Sequence, residues 1–133
     1  FASAAQNSLH LNIFLENLSF SFYFKSMSLR NLSETKAENL NSLVEIKPHQ
    51  VVSMALSKNE NANVTLLAFA DGEDLSEEVY PQDTLYFVIE GSMTIVSKED
   101  SIPVSAGQVI KVPAGKPHRL SAQKSFKIMQ ISI

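Results

Sequence analysis

Gly107-Gln-Val-Ile-Lys-Val-Pro113-Ala-Gly115-Lys-Pro-His118 is the stretch that decides the fold. Gly107 suits a turn that needs positive φ. Val109, Ile110 and Val112 make a short apolar strand. Pro113 ends that strand and presets φ, and Gly115 turns the chain back. Lys116-Pro117 then delivers His118 to the start of another strand, Arg119-Leu120-Ser121. The unit is a hairpin that places one imidazole near a sheet edge.

Outward from this hairpin, short strands at close spacing dominate the chain. Val51 to Ser57, Val64 to Ala70, Leu75 to Tyr80 and Thr84 to Glu90 read as strands. Ser92 to Ser97, Ile102 to Val104 and Phe126 to Ile131 complete the set with Val109–Val112 and His118–Ser121. Pro103 marks its strand as an edge. Asp71-Gly72, Lys98-Glu99-Asp100 and Lys47-Pro48-His49-Gln50 read as turns. Such punctuation indicates an all-β sandwich or barrel. There is no Rossmann glycine pattern, P-loop or repeat.

Composition sets the bounds. The chain has 133 residues, 44% hydrophobic and 19% charged, with a net charge of −3. That is enough for one globular domain with a sizeable core. The net charge argues against nucleic acid as a partner. Absence of cysteine excludes disulfides, thiolate metal ligands and a Cys nucleophile. Asp71, Glu73, Asp74, Glu77, Glu78 and Asp83 form an acidic run with no basic residue. After Asp100 there is no further acid, while Lys111, Lys116, Arg119, Lys124 and Lys127 follow. These are either two solvated faces that complement each other or a charged pocket mouth that selects polar ligands.

Residues 1–26 alternate Leu and Phe with polar residues on both sides of Glu16-Asn17, a β-hairpin pattern. They lack the continuous apolar run of a membrane span and the basic start of a signal peptide. No membrane association is expected, and a cytoplasmic location is. Met27-Ser-Leu would suit a native start, which makes residues 1–26 an added or processed extension and 27–133 the domain. Leu18–Phe24 is expected to pair with a sheet edge, burying Phe20, Phe22 and Phe24. Residues 28–43 read as a short helical turn or an irregular lead-in.

The hairpin resembles the second sequence motif of the cupin family, Gly-x5-Pro-x-Gly-x2-His-x3-Asn. Every element is present except the last, where Ala122 stands. The family's first motif, Gly-x5-His-x-His-x3–4-Glu-x6-Gly, fits the frame from Gly72 to Gly91. There Glu78 and Tyr80 occupy the two His positions and Thr84 the Glu position. The resemblance covers roughly residues 45–133 and implies a double-stranded β-helix, a jelly-roll barrel.

In metal-binding members of that family the motif residues converge on one divalent ion. Carried over by position, the resemblance offers Glu78, Tyr80, Thr84 and His118 as a site facing one cavity. Only Glu78 and His118 are competent ligands, since neutral Tyr and Thr hydroxyls bind metals poorly. A divalent metal (Zn, Ni, Mn or Fe) held by His118 and Glu78 is therefore one expectation, and a barrel that has lost its metal is the other. His118 also reads as a hydrogen-bonded barrel histidine, or as a partly exposed residue of the hairpin. If Glu78 faces inward, His118 is its obvious partner. His10 and His49 read as surface residues, and Tyr86, Phe87 and Phe69 as core. The leading expectation is a homodimeric cupin that binds a small polar or anionic molecule in the barrel. The competing classes are a metal-dependent dioxygenase or isomerase using His118, Glu78 and Tyr80, and a non-catalytic regulatory or interaction module.

Overall fold

Period-two alternation builds the core. In Thr84–Glu90 the residues Thr84, Tyr86 and Val88 are buried, while Leu85 between them is exposed. The computed structural model describes residues 29–133. The expected N-terminal hairpin, with His10 and the pairing of Leu18–Phe24, lies outside the described residues.

Among the described residues, nine strands follow a single 3-10 turn, Leu40–Ser42. They are β1 Val51–Lys58, β2 Asn63–Phe69, β3 Leu75–Glu78, β4 Thr84–Glu90 and β5 Ser92–Val96. The rest are β6 Ser101–Ser105, β7 Val109–Val112, β8 His118–Ser121 and β9 Phe126–Ser132. One antiparallel sheet runs β1-β2-β9-β4-β7, and the other runs β3-β8-β5-β6. Every strand read from the sequence within the described residues is present, with ends shifted by at most two residues. β6, which carries Pro103, lies at an edge as its proline requires.

The two sheets enclose the main core. Phe69, Tyr86, Val88, Ile95, Leu120 and Phe126 meet there. Phe69 and Phe126 stack with ring centroids 4.3 Å apart. Burial of such rings contributes about 1.5–3 kcal/mol each before entropy is subtracted. A second apolar layer lies on the outer face of the five-stranded sheet. Val44, with Leu40, Leu43 and Ile46, covers Leu56, Leu66 and Ala68. This is why β2 is apolar on both faces: Leu67 and Phe69 look in, and Leu66 and Ala68 look out. Residues 40–46 thus act as a cover. The Lys127 ammonium anchors it by donating to the Asn41 carbonyl at 2.7 Å. Upstream, the Arg30 amide donates to the Leu56 carbonyl at 2.8 Å, so the lead-in runs along the free edge of β1.

Gly91 joins β4 to β5 at φ +76°, and a Cβ there would stand 2.7 Å from the Ser125 carbonyl oxygen. Only glycine meets both conditions without strain. Among the described residues, no helix is long and apolar enough to cross a membrane.

Candidate functional site at one end of the barrel

His118 opens β8 and is 2% exposed, in the barrel interior. Its Nδ1 lies 2.9 Å from the Lys116 carbonyl oxygen and its Nε2 lies 2.7 Å from the Tyr86 hydroxyl. A carbonyl can only accept, so Nδ1 carries the proton. In the neutral ring Nε2 is then the acceptor, and Tyr86 donates to it. The phenol is suited to donate. Burial pushes its pKa well above the ordinary tyrosine value, and nearby Tyr80 and Glu78 add to the rise.

Of the expected readings of His118, the hydrogen-bonded barrel histidine is the one found. Tyr86 is core, as its position suggested, and it is also the direct partner of His118. Its ring meets the imidazole edge-on, with centroids 5.6 Å apart at 68°. The sequence carried a usable signal: Tyr86 is two residues from Thr84 on a strand and therefore shares its face.

Glu78 stands directly opposite His118 across the β3–β8 pairing. Residues opposite each other in an antiparallel ladder share a face, so Glu78 is directed to the interior side and is half-buried. A bulge produces this. Leu75 pairs with Leu120 and Glu78 with His118, so three steps on β3 match two on β8. The extra residue sends Glu77 outward and Glu78 inward. The expected Glu78–His118 partnership is not made as a hydrogen bond, because Tyr86 and the Lys116 carbonyl occupy both ring nitrogens.

Tyr80 follows β3 and is half-buried over His118, with ring centroids 5.9 Å apart at 59°. Its pKa is raised, chiefly by burial; the neighbouring Gln130 amide opposes the rise, and the Glu78 charge adds to it. Gln130 was not read from the sequence as a site residue. It lies on β9 opposite Tyr86, and it is the polar interruption of the inward series Phe126, Ile128, Gln130, Ser132. Thr84 is also inward and 1% exposed. Its hydroxyl is 3.0 Å from that of Ser132, so the two satisfy each other.

The motif turn ties down the segment that carries Tyr80 and Asp83. The Gly115 amide donates to the Tyr80 carbonyl at 2.8 Å. The Ala114 amide donates to Asp83 Oδ1 at 2.8 Å, and the Ile133 amide donates to the Asp83 carbonyl at 3.0 Å. The Ala114 amide and the Lys111 ammonium hold the Asp83 carboxyl below its ordinary pKa. The acidic and basic stretches meet here, with Lys111 Nζ 3.5 Å from Asp83, and a further ion pair joins Lys116 to Asp100 at 3.6 Å. A charged depression of about 710 Å³ also exists, lined by Glu77, Lys98, Glu99, Lys116 and Arg119. It lies on the outer face, because Glu77 and Arg119 alternate with the inward Glu78 and His118. Tyr80, Glu78 and His118 do not line it.

The donor set does not fit a tightly held divalent ion. His118 has no uncommitted nitrogen, Tyr80 and Thr84 offer neutral hydroxyls, and Glu78 is a single carboxylate. Among the described residues, no group of three or more His, Cys, Asp or Glu is placed to hold a metal.

The chain matches the model of the Cupin domain family over residues 65–131. It aligns with a crystal structure of a cupin superfamily protein from Desulfitobacterium hafniense DCB-2 at 38% identity and a TM-score of 0.76. That match covers 79% of this chain and 96% of the other. A conserved protein of unknown function from Streptococcus pyogenes matches at 25% identity and a TM-score of 0.76, covering 79% of this chain and 92% of the other. An uncharacterized protein of Streptomyces coelicolor is 34% identical over 62 residues, 47% of this chain. The chain spans 59% of that relative's length.

Proposed function

We propose that this chain, which belongs to the Cupin domain family, binds a small polar molecule at the mouth of its barrel and holds no metal at His118. One observation carries the reading: both nitrogens of the motif histidine are engaged within the protein. A metal would need the Nε2 lone pair, and that lone pair receives the Tyr86 proton. Binding would therefore break a buried hydrogen bond and leave the phenol without its acceptor. What remains open to a ligand is the half-buried rim of Tyr80, Glu78 and Gln130. Of the two ligand classes expected from sequence, the anionic one is disfavoured. An anion would meet the Glu78 carboxylate at a rim where burial amplifies repulsion.

The test has two parts. Elemental analysis of protein purified without a chelating tag should find no stoichiometric metal. Titration with Zn, Ni, Mn or Fe salts should leave the His118 ring tautomer, followed by long-range proton–nitrogen NMR, unchanged. A thermal-shift screen of small polar compounds should then give stabilising hits that Tyr80→Ala abolishes. Stoichiometric bound metal, or hits indifferent to Tyr80→Ala, would overturn the reading.

A further inference from the structure

The rim carries one carboxylate, Glu78, and among the described residues no ion pair is made to it. Glu78 is directed inward by the β3 bulge and is half-buried. Among the described residues, the ion pairs are Lys111–Asp83 and Lys116–Asp100, and neither involves Glu78. His118 stands opposite, but both its ring nitrogens are committed to Tyr86 and Lys116. The residues around this carboxylate are aromatic. Tyr80 and Tyr86 flank the imidazole at centroid distances of 5.9 and 5.6 Å, both steeply inclined to it. The Glu78 charge reaches both phenols and helps hold them protonated.

A partly desolvated carboxylate is costly unless an opposite charge approaches it. Among the described residues, no ion pair meets Glu78. Aromatic faces attract cations through the ring quadrupole, most strongly where water is excluded. Tyr86, 1% exposed, can only back the site, whereas Tyr80 is half-buried and has surface to offer. We propose that Glu78 and Tyr80, backed by Tyr86 and His118, form a site for a small organic cation, a molecule bearing an ammonium group. The carboxylate neutralises the charge, and the Tyr80 ring covers the alkyl groups around it. This inference rests on the small-molecule reading above and names the ligand class.

Three probes of one shape separate the two ideas: tetramethylammonium, neutral neopentanol and anionic pivalate. Each is titrated into the full chain at constant ionic strength, with Tyr80 and His118 ring signals followed by NMR. Tetramethylammonium should bind about tenfold or more tighter than neopentanol, and pivalate should not bind. Glu78→Gln should remove that preference. Tyr80→Leu should weaken cation binding, while Tyr80→Phe, which keeps the ring, should retain it. Melting temperatures of all three variants control for folding. Equal binding of the cation and neopentanol, unaffected by Glu78→Gln, would overturn the cation site and leave the small-polar-molecule reading standing. If no probe moves the Tyr80 or His118 signals, and the compound screen is also silent, both fall.

Discussion

The hydroxyl of Tyr86 and Nε2 of His118, on strands of opposite sheets, lie 2.7 Å apart in the buried interior. The bond links the two sheets through side chains and fixes the histidine tautomer together with the Lys116 carbonyl. It also engages Nε2 of the motif histidine in a hydrogen bond.

Tyr86→Phe keeps the ring in the core and removes the donor. It leaves Nε2 buried without a partner, which costs about 1–3 kcal/mol. Urea unfolding should show that loss with an unchanged slope. A change below about 0.5 kcal/mol, the lower end of a typical hydrogen bond, would mean that the bond contributes little to stability.

Gly91→Ala and Gly72→Ala make a matched pair. Both glycines have φ near +75°, but a Cβ at Gly72 meets nothing within 4 Å while one at Gly91 meets the Ser125 carbonyl at 2.7 Å. Both substitutions should destabilise, since Ala is strained at positive φ. The Gly91 variant should lose at least about 1 kcal/mol more, because backbone must shift to admit the methyl. Equal losses would show that the clash relaxes freely.

Asp83 should give the protein an acid-sensitive component of stability. Its folded pKa lies below the unfolded carboxylate value of about 3.9, because of the Ala114 amide and then Lys111. The contribution is therefore fully present above that unfolded value and is lost as pH falls through the lowered folded one. The melting-temperature gap between the wild type and Asp83→Ala should be constant near neutrality and shrink below about pH 4. A gap that persists or widens to pH 2 would refute the assignment. Added salt should narrow only the Lys111 part.

Most of the fold was legible because its signals are local. Alternation, turn dipeptides and the edge proline Pro103 each act within a few residues. The site was legible only where a motif fixed the frame, as at His118. Tyr86 read as core because Leu85-Tyr86-Phe87-Val88 is apolar throughout, and its partner lies on the other sheet, a distance that spacing does not encode. Glu78 is instructive in the opposite sense. Plain alternation from Leu75 would direct Glu77 inward, but the bulge shifts the phase by one residue and the motif frame already held that shift. Gln130 was passed over because a single amide in an apolar strand is no motif. Thr84 was found, but its hydroxyl is spent on Ser132.

The ties between Tyr80, Asp83 and the Pro113–Gly115 turn bear on how the doorway behaves. One tie joins backbone to backbone and holds the carbonyl of Tyr80 itself, and the other runs from the Ala114 amide to the Asp83 carboxylate. The backbone at Tyr80 and the motif turn is thus fastened as one piece, and neither can be displaced without giving up a bond to the other.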